Sequence, residues 1–261
     1  MGLIEATILG AVQGITEFLP VSSSGHLVIL QKIFGISEPT LFFNTMLHIG
    51  TLFAVFIVLR QEIINILKNP IQKLTLLLII ATIPIVIVAI VFKDFIEQVF
   101  DSGNYIGFFF LITAAALLIS EYLSKRPGET RSGSEMTWKD AVMIGVLQGI
   151  AILPGVSRSG LTISGGLARK LDREFAAKFS FLMSIPAILG ALVFQLKDIV
   201  GNDTVSFAGS SLTTMLAGTV TAFIVAIFSV RLMLKIVKEK SLKCFAIYVT
   251  ILGIIALIDQ F

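Results

Sequence analysis

The 261-residue chain is 56% hydrophobic and only 14% charged, with a mean hydropathy of +0.95. That balance excludes an ordinary soluble domain and predicts an integral membrane protein. Its net charge of +3 is explained by basic loops retained on one side of a membrane, so nucleic-acid binding is not expected, and the lone Cys244 excludes an intramolecular disulfide or a cysteine-based metal cluster.

In chain order, residues 1–19 carry Glu5, Gln13 and Glu17, lack a basic n-region and end at Pro20, which fits neither a signal peptide nor a good span. Residues 3–35 read as two short apolar pieces separated by a Pro/Ser break. Strong apolar runs follow at 41–59, 74–92 and 105–123, then a hydrophilic linker at 124–137. A second broken stretch occupies 138–171, and runs at 179–196, 211–230 and 242–258 complete the chain. Each run is close to the roughly 20 residues of a spanning helix. The predicted architecture is an all-α integral membrane protein: six transmembrane helices plus two re-entrant helix hairpins, in one membrane domain over 1–261. Re-entrant backbone needs a protein-lined or water-filled cavity, because lipid cannot satisfy freed N–H and C=O groups.

The two broken stretches share a sequence. QGITEFLPVSSSG at 13–25 returns as QGIAILPGVSRSG at 148–160, with Gln13, Gly14, Ile15, Val21, Ser22, Ser24 and Gly25 matching Gln148, Gly149, Ile150, Val156, Ser157, Ser159 and Gly160. Typical residue usage predicts about one chance match. The chain reads as a duplication, repeat one over approximately 1–123 and repeat two over approximately 138–261.

Most Lys and Arg residues fall in four zones: 60–73, 125–139, 169–178 and 231–243. Six spans and two hairpins put all four on one side, which the positive-inside rule makes cytoplasmic. Lys32, Lys93 and Lys197 then face outward, and both termini lie outside in the plasma membrane. Three spans per repeat make the repeats antiparallel, an inverted topology in which two broken elements meet near the midplane.

Charged and polar groups at that depth carry the candidate chemistry. Gln13 and Glu17 are four apart and share a helix face. They are followed by Ser22, Ser23, Ser24 and His26 at the start of a half-helix. A serine, imidazole and carboxylate can support nucleophilic or acid–base chemistry. The plainer alternative puts Glu17 near an interface, meeting water or Arg158. The second motif places Arg158 opposite Ser23, Ile152 opposite Glu17 and Leu161 opposite His26, with Ser157, Ser159 and Thr162 beside the guanidinium. Arginine suits phosphate, and serine-capped helix N-termini bind anions, although any one serine is equally a simple cap. Asn44 and His48, one turn apart in the first span, either face the cavity or form a satisfied buried pair. Glu121, near a span end, reads as interfacial.

QGITEFLPVSSSGHL and LPGVSRSGLT, with FNTMLHIGT at 43–51, resemble the signature motifs of the BacA/UppP-type undecaprenyl-diphosphate phosphatases, in order and separation, over essentially the whole chain. The resemblance implies removal of the terminal phosphate from undecaprenyl diphosphate, recycling the carrier lipid for cell-wall polymer synthesis. It implies an active site of Glu17, Ser22, Ser23, His26, Ser157, Arg158 and Thr162, and stimulation by Mg2+ or Ca2+. Gln13 stands at a position where that family alternates Glu and Gln, so it cannot act as a general base or strong metal ligand here.

The combined reading assigns catalysis to Glu17, Ser23, His26 and Arg158. Gln13, Ser22, Ser24, Ser157, Ser159, Thr162, Asn44 and His48 are assigned to substrate binding. Ser23 activated by His26 is the preferred nucleophile, and water activated by Glu17 or a divalent ion is the competitor. Metal held mainly by substrate phosphates and water fits better than an all-protein cage. The expected partners are a polyprenyl diphosphate lipid and the bilayer, with a homodimer left open and the active site opening outward. A polyprenyl-phosphate transporter is the alternative function, because inverted repeats with a midplane anion site also serve alternating access.

Overall fold

The computed structural model describes residues 1–36, 41–102, 105–201 and 211–258; Lys197, named above, lies outside the described side chains. The described chain is helical and contains no strand. In order the helices are α1 (Leu3–Thr16), α2 (Ser23–Ile33), α3 (Leu41–Val58), α4 (Arg60–Lys68), α5 (Lys73–Val91), α6 (Lys93–Ser102), α7 (Ile106–Ser124), α8 (Trp138–Ile150), α9 (Arg158–Ala168), α10 (Arg173–Gly201), α11 (Leu212–Glu239) and α12 (Lys243–Ile258). Among the described residues, four helices are long and apolar enough to cross a membrane (α5, α7, α10 and α11), or five if α3 and α4, bent by 79°, form one broken span. The last expected run forms α12, apolar but only 16 residues long.

Both broken stretches fold as short helix pairs. Pro20 and Pro154 lack an N–H and interrupt the helical ladder. A serine then restarts each helix: Ser22 Oγ accepts the Gly25 N–H at 3.3 Å, and Ser157 Oγ accepts the Gly160 N–H at 3.0 Å. These are N-caps satisfying donors that have no partner in the first helical turn.

Each pair is held by a helix distant in sequence, since α1 packs on α11 and α8 packs on α5. Glycine makes both approaches possible. A Cβ on Gly10 would fall 2.3 Å from the Gly218 carbonyl oxygen, and one on Gly145 would fall 2.4 Å from that of Ala81. Between them runs a core that includes Phe18, Phe110, Phe179 and Phe181, with Phe18 edge-on to Phe181 at 5.1 Å.

The four basic zones meet at one end of the molecule. Lys73 donates to the Ser134 carbonyl at 2.5 Å, Lys178 pairs with Glu62 at 3.0 Å, and Lys238 pairs with Glu174 at 2.9 Å. Lys170 donates to the Arg126 carbonyl, and Arg131 to that of Arg169 at 3.2 Å. The 124–137 segment is therefore tied down by specific bonds and does more than join two repeats. Its anchor is the buried Asp140, which takes Arg131 Nη2 at 2.7 Å, Arg169 Nε at 2.5 Å and the Thr137 N–H at 2.8 Å. Glu121 lies at this same basic end, buried against protein. It is 1% exposed, accepting from Arg173 Nη2 at 2.7 Å and the Leu242 N–H at 2.8 Å, so it joins α7 to α10 and the start of α12.

Gly145→Ala is expected to lower stability by about 1–3 kcal/mol, because the methyl meets rigid backbone. Gly190→Ala, where a Cβ meets nothing within 4 Å, is expected to gain about 0.5–1 kcal/mol. Thermal unfolding in detergent separates the two. Burial raises the Asp140 pKa, but bonds from Arg131, Thr137 and Arg169 outweigh it and hold the carboxyl below the usual carboxylate range. A depressed carboxylate contributes stability that is complete above its unfolded pKa of about 3.9 and lost as pH falls toward the folded value. The stability gap between wild type and Asp140→Asn should therefore be widest near neutral pH and shrink below about pH 4, as melting curves across pH will show.

Candidate active site

The two motif turns touch, and reciprocal bonds hold them together. Ser24 Oγ accepts the Gly155 N–H at 3.4 Å, and Ser159 Oγ donates to the Leu19 carbonyl at 3.0 Å. Both serines occupy the same position in their motifs, so each motif's third cap residue binds the other's turn. Gly25 permits the approach, since a Cβ there would fall 2.5 Å from Phe110 and 3.1 Å from Gly155 Cα.

At the junction the Glu17 carboxylate is 6% exposed and fully engaged. Oε1 is bonded by Arg158 Nη2, and Oε2 accepts from Ser23 Oγ at 2.6 Å and from Gln13 Nε2 at 3.0 Å. His48 Nδ1 lies 3.3 Å from Oε2 and 2.8 Å from Gln13 Nε2. Two buried polar atoms at this junction have no hydrogen-bond partner, Arg158 Nη1 and Gln13 Oε1. An orphaned guanidinium N–H in an apolar protein is costly unless a ligand takes it. Arg158 sits at the first turn of α9 and Ser23 at the first turn of α2, so two helix N-termini also face this region.

The expected residues separate by what they touch. Gln13, Glu17, Ser23, His48 and Arg158 form one contiguous bonded group. Asn44 lies one turn from His48 and accepts from Gln31 Nε2 at 2.8 Å. Thr162 is committed to its own helix through the Arg158 carbonyl at 2.8 Å, and to Ser180 at 2.6 Å. It supports α9 against α10. Ser157 caps α9, and its own N–H is accepted by Thr113 Oγ1 at 2.9 Å.

The pairing of Ser23 with His26 is corrected. The Ser23 hydroxyl donates to Glu17, whereas His26 Nδ1 is 2.7 Å from the Ser22 carbonyl and Nε2 is 2.7 Å from the Tyr248 hydroxyl. The group positioned to take the Ser23 proton is therefore the carboxylate. Ser22 itself has φ +69°, left-handed backbone that costs a non-glycine residue about 1–3 kcal/mol and recurs at functional sites.

Sequence reading missed Thr113 and Tyr248. Thr113 left no signal, since a threonine in an apolar helix satisfies itself on its own backbone, as here on the Phe109 carbonyl at 3.3 Å. Tyr248 left a faint one: it is one of three tyrosines and interrupts the last apolar run with a hydroxyl that needs a partner.

An all-protein Mg2+ or Ca2+ cage does not fit this donor set. Among the described residues no group of three or more His, Cys, Asp or Glu stands together to hold a metal ion. The Glu17 oxygens already receive a guanidinium, a hydroxyl and an amide, where a hard cation needs six or more oxygens.

Long apolar helices and a buried ion pair at the junction of two broken helix pairs define a multi-pass membrane protein with a charged centre inside it. The family model described as bacitracin resistance protein BacA matches residues 6–255, and the chain belongs to that family. It is 47% identical to the undecaprenyl-diphosphatase of Carboxydothermus hydrogenoformans and to undecaprenyl-diphosphatase 4 of Bacillus thuringiensis subsp. konkukian, in each case over 100% of this chain and 98% of the relative. It is 42% identical to the undecaprenyl-diphosphatase of Methanosphaera stadtmanae, over 99% of this chain and 98% of the relative.

Ser159→Ala should cost about 1 kcal/mol by removing a bond between the two turns. Ser164→Ala, which removes a buried hydroxyl without a partner, should be neutral or stabilising. Denaturation midpoints of the two variants, each against wild type, test this assignment of their hydroxyls.

Proposed function

We infer that this chain is an undecaprenyl-diphosphatase, releasing inorganic phosphate from undecaprenyl diphosphate and leaving undecaprenyl phosphate. Full-length similarity to relatives of that name supports the activity, and nothing among those names supports transport. The observation that carries the chemistry is the Ser23 hydroxyl donating to a Glu17 carboxylate that Arg158 also binds, beside an unpaired Arg158 Nη1.

In the proposed mechanism the diphosphate enters with its terminal phosphoryl group against Arg158 Nη1 and the N-terminal N–H groups of α2 and α9. Ser23 Oγ attacks the terminal phosphorus as its proton passes to Glu17. The bond from that phosphorus to the bridging oxygen breaks, and undecaprenyl phosphate leaves with the bridging oxygen. Glu17 passes that proton to the departing undecaprenyl phosphate. The freed carboxylate then deprotonates a water that attacks the phosphoserine, the bond from phosphorus to Ser23 Oγ breaks, Oγ takes the proton back from Glu17, and phosphate is released. Arg158 neutralises charge that spreads over the phosphoryl oxygens, the main contribution an enzyme makes to this reaction. Gln13 and His48 orient the carboxylate. Ser22, Ser24, Ser157, Ser159 and Thr162 shape the two turns and their helix starts. The proposed role of Mg2+ or Ca2+ is to accompany the diphosphate, held by its oxygens and water.

The proposed membrane arrangement has six spans and two re-entrant pairs in inverted repeats. Equivalent close contacts at Gly10 and Gly145 support it, as does the gathering of all four basic zones at one end. That end is assigned to the cytoplasm, both termini and the active-site opening to the outside.

Purified wild-type protein should release phosphate from C55 diphosphate. Arg158→Ala should lose about 100- to 1,000-fold in kcat, and Ser23→Ala and Glu17→Gln should lose at least as much. An active Ser23→Ala enzyme would assign the attack to water, and no release by wild type with any divalent ion would reject the diphosphatase reading.

A further inference from the structure

We propose that Tyr248 is a positioning residue of this site: acting through His26, it braces the left-handed turn at Ser22 that presents Ser23 to Glu17. The role of Ser23 rests on the diphosphatase reading above, whereas the brace rests on geometry alone.

The duplicated motif supplies an internal control. The equivalent cap in the second motif, Ser157, has φ −76°, ordinary extended backbone, while Ser22 has φ +69°. The residue four positions beyond the cap is Leu161 in one motif and His26 in the other. Leu161 N–H reaches the Ser157 carbonyl at 2.9 Å; His26 N–H reaches the Ser22 carbonyl at a longer 3.3 Å, and the imidazole adds a second bond to the same oxygen at 2.7 Å. The motif with the strained cap is thus the one whose helix carries a side chain able to hold it. Left-handed backbone is uncommon and costly for serine, and the added bond opposes that cost.

The second ring nitrogen leads to Tyr248. A carbonyl only accepts, so His26 Nδ1 carries a proton and the neutral ring presents a lone pair at Nε2. Tyr248 Oη–H donates to that lone pair at 2.7 Å. A bond at one ring nitrogen sets where the proton sits on the other, so the phenol selects the tautomer that can reach Ser22. The rings also fix the plane of the imidazole: Tyr248 stacks at 5.8 Å and 12°, and Phe110 stands edge-on at 5.7 Å and 86°. The brace runs from α12 through His26 to the residue next to Ser23, whose hydroxyl meets Glu17 at 2.6 Å.

The chain has two histidines, so histidine-selective 15N NMR of the purified full-length protein resolves their tautomers. The wild type is expected to show one imidazole protonated at Nδ1 with a hydrogen-bonded Nε2 acceptor, and Tyr248→Phe, which keeps the stacked ring, should move that Nε2 resonance toward a free lone pair. With C55 diphosphate, kcat of Tyr248→Phe should fall about tenfold, the effect of one lost hydrogen bond, with KM within about twofold. In a His26→Ala background the same change should cost nothing further. The proposal is overturned by a wild-type His26 protonated only at Nε2, by a Tyr248→Phe kcat within twofold of wild type, or by losses that multiply in the double variant. If wild type releases no phosphate the diphosphatase reading fails, while the NMR result still decides the brace.

Discussion

A carboxylate and a guanidinium buried in an apolar protein cannot remain apart. Glu17 and Arg158 lie 141 residues apart in sequence, and each alone would be a charge without water. Bringing them together removes a penalty of several kcal/mol per ion, on condition that the remaining polar atoms are also satisfied. The rest of the architecture meets that condition. Ser23, Gln13 and His48 complete the carboxylate, a serine cap takes one first-turn donor of each restarted helix, and glycines let α1 and α8 approach their supporting helices closely. The guanidinium is left with one unsatisfied nitrogen. In the proposed reaction the diphosphate completes that deficit.

The duplicated motifs show how one backbone plan carries two chemistries. Caps, cap-to-cap contacts and glycine approaches recur in both; Ser22 and Ser24 are 3.3 Å apart, as are Ser157 and Ser159. The chemistry differs where Glu17 stands against Ile152, Ser23 against Arg158, and His26 against Leu161. With every charged member drawn from a different motif, the site forms only at the junction. Gln148 is the exception that marks the other side. It matches Gln13 and is fully buried with both amide atoms unpartnered; its Nε2 lacks the acceptor that Glu17 gives Gln13, because Ile152 stands in that place.

Much of this was legible in the sequence because it rests on local rules. Pro20 and Pro154 with the following serines placed the helix breaks, and apolar run lengths placed α5 and α7 to within a residue; α10 and α11 were found but extend beyond their apolar runs, because polar residues of their basic ends continue the helices. Depth in the membrane singled out Glu17 and Arg158 as expensive groups. What stayed hidden depends on direction. Spacing put His26 within a turn of Ser23, yet nothing local specifies that the imidazole turns back to Ser22 and out to Tyr248, a partner 222 residues away. For the same reason the partners of Glu121 stayed hidden: it meets Arg173 and the Leu242 N–H, neither of them near it in the chain. The bend between α3 and α4 follows an apolar run with no proline or glycine at its end, so no local breaker announced it.

The pairing of α1 with α11 has a consequence for biosynthesis. Roughly 200 residues separate the end of the first helix from the start of its packing partner; at about 5–20 residues per second, the ribosome needs on the order of ten to forty seconds to supply it. The arginine that neutralises the acid of the first broken pair comes only after roughly 140 of those residues, and the Gly218 seat only at the end of the interval. The nascent chain therefore carries a polar, incompletely supported segment while later helices are still entering the membrane. Sheltering that segment until α11 arrives is a task for the insertion machinery, and it sets a time window in which misassembly competes with folding.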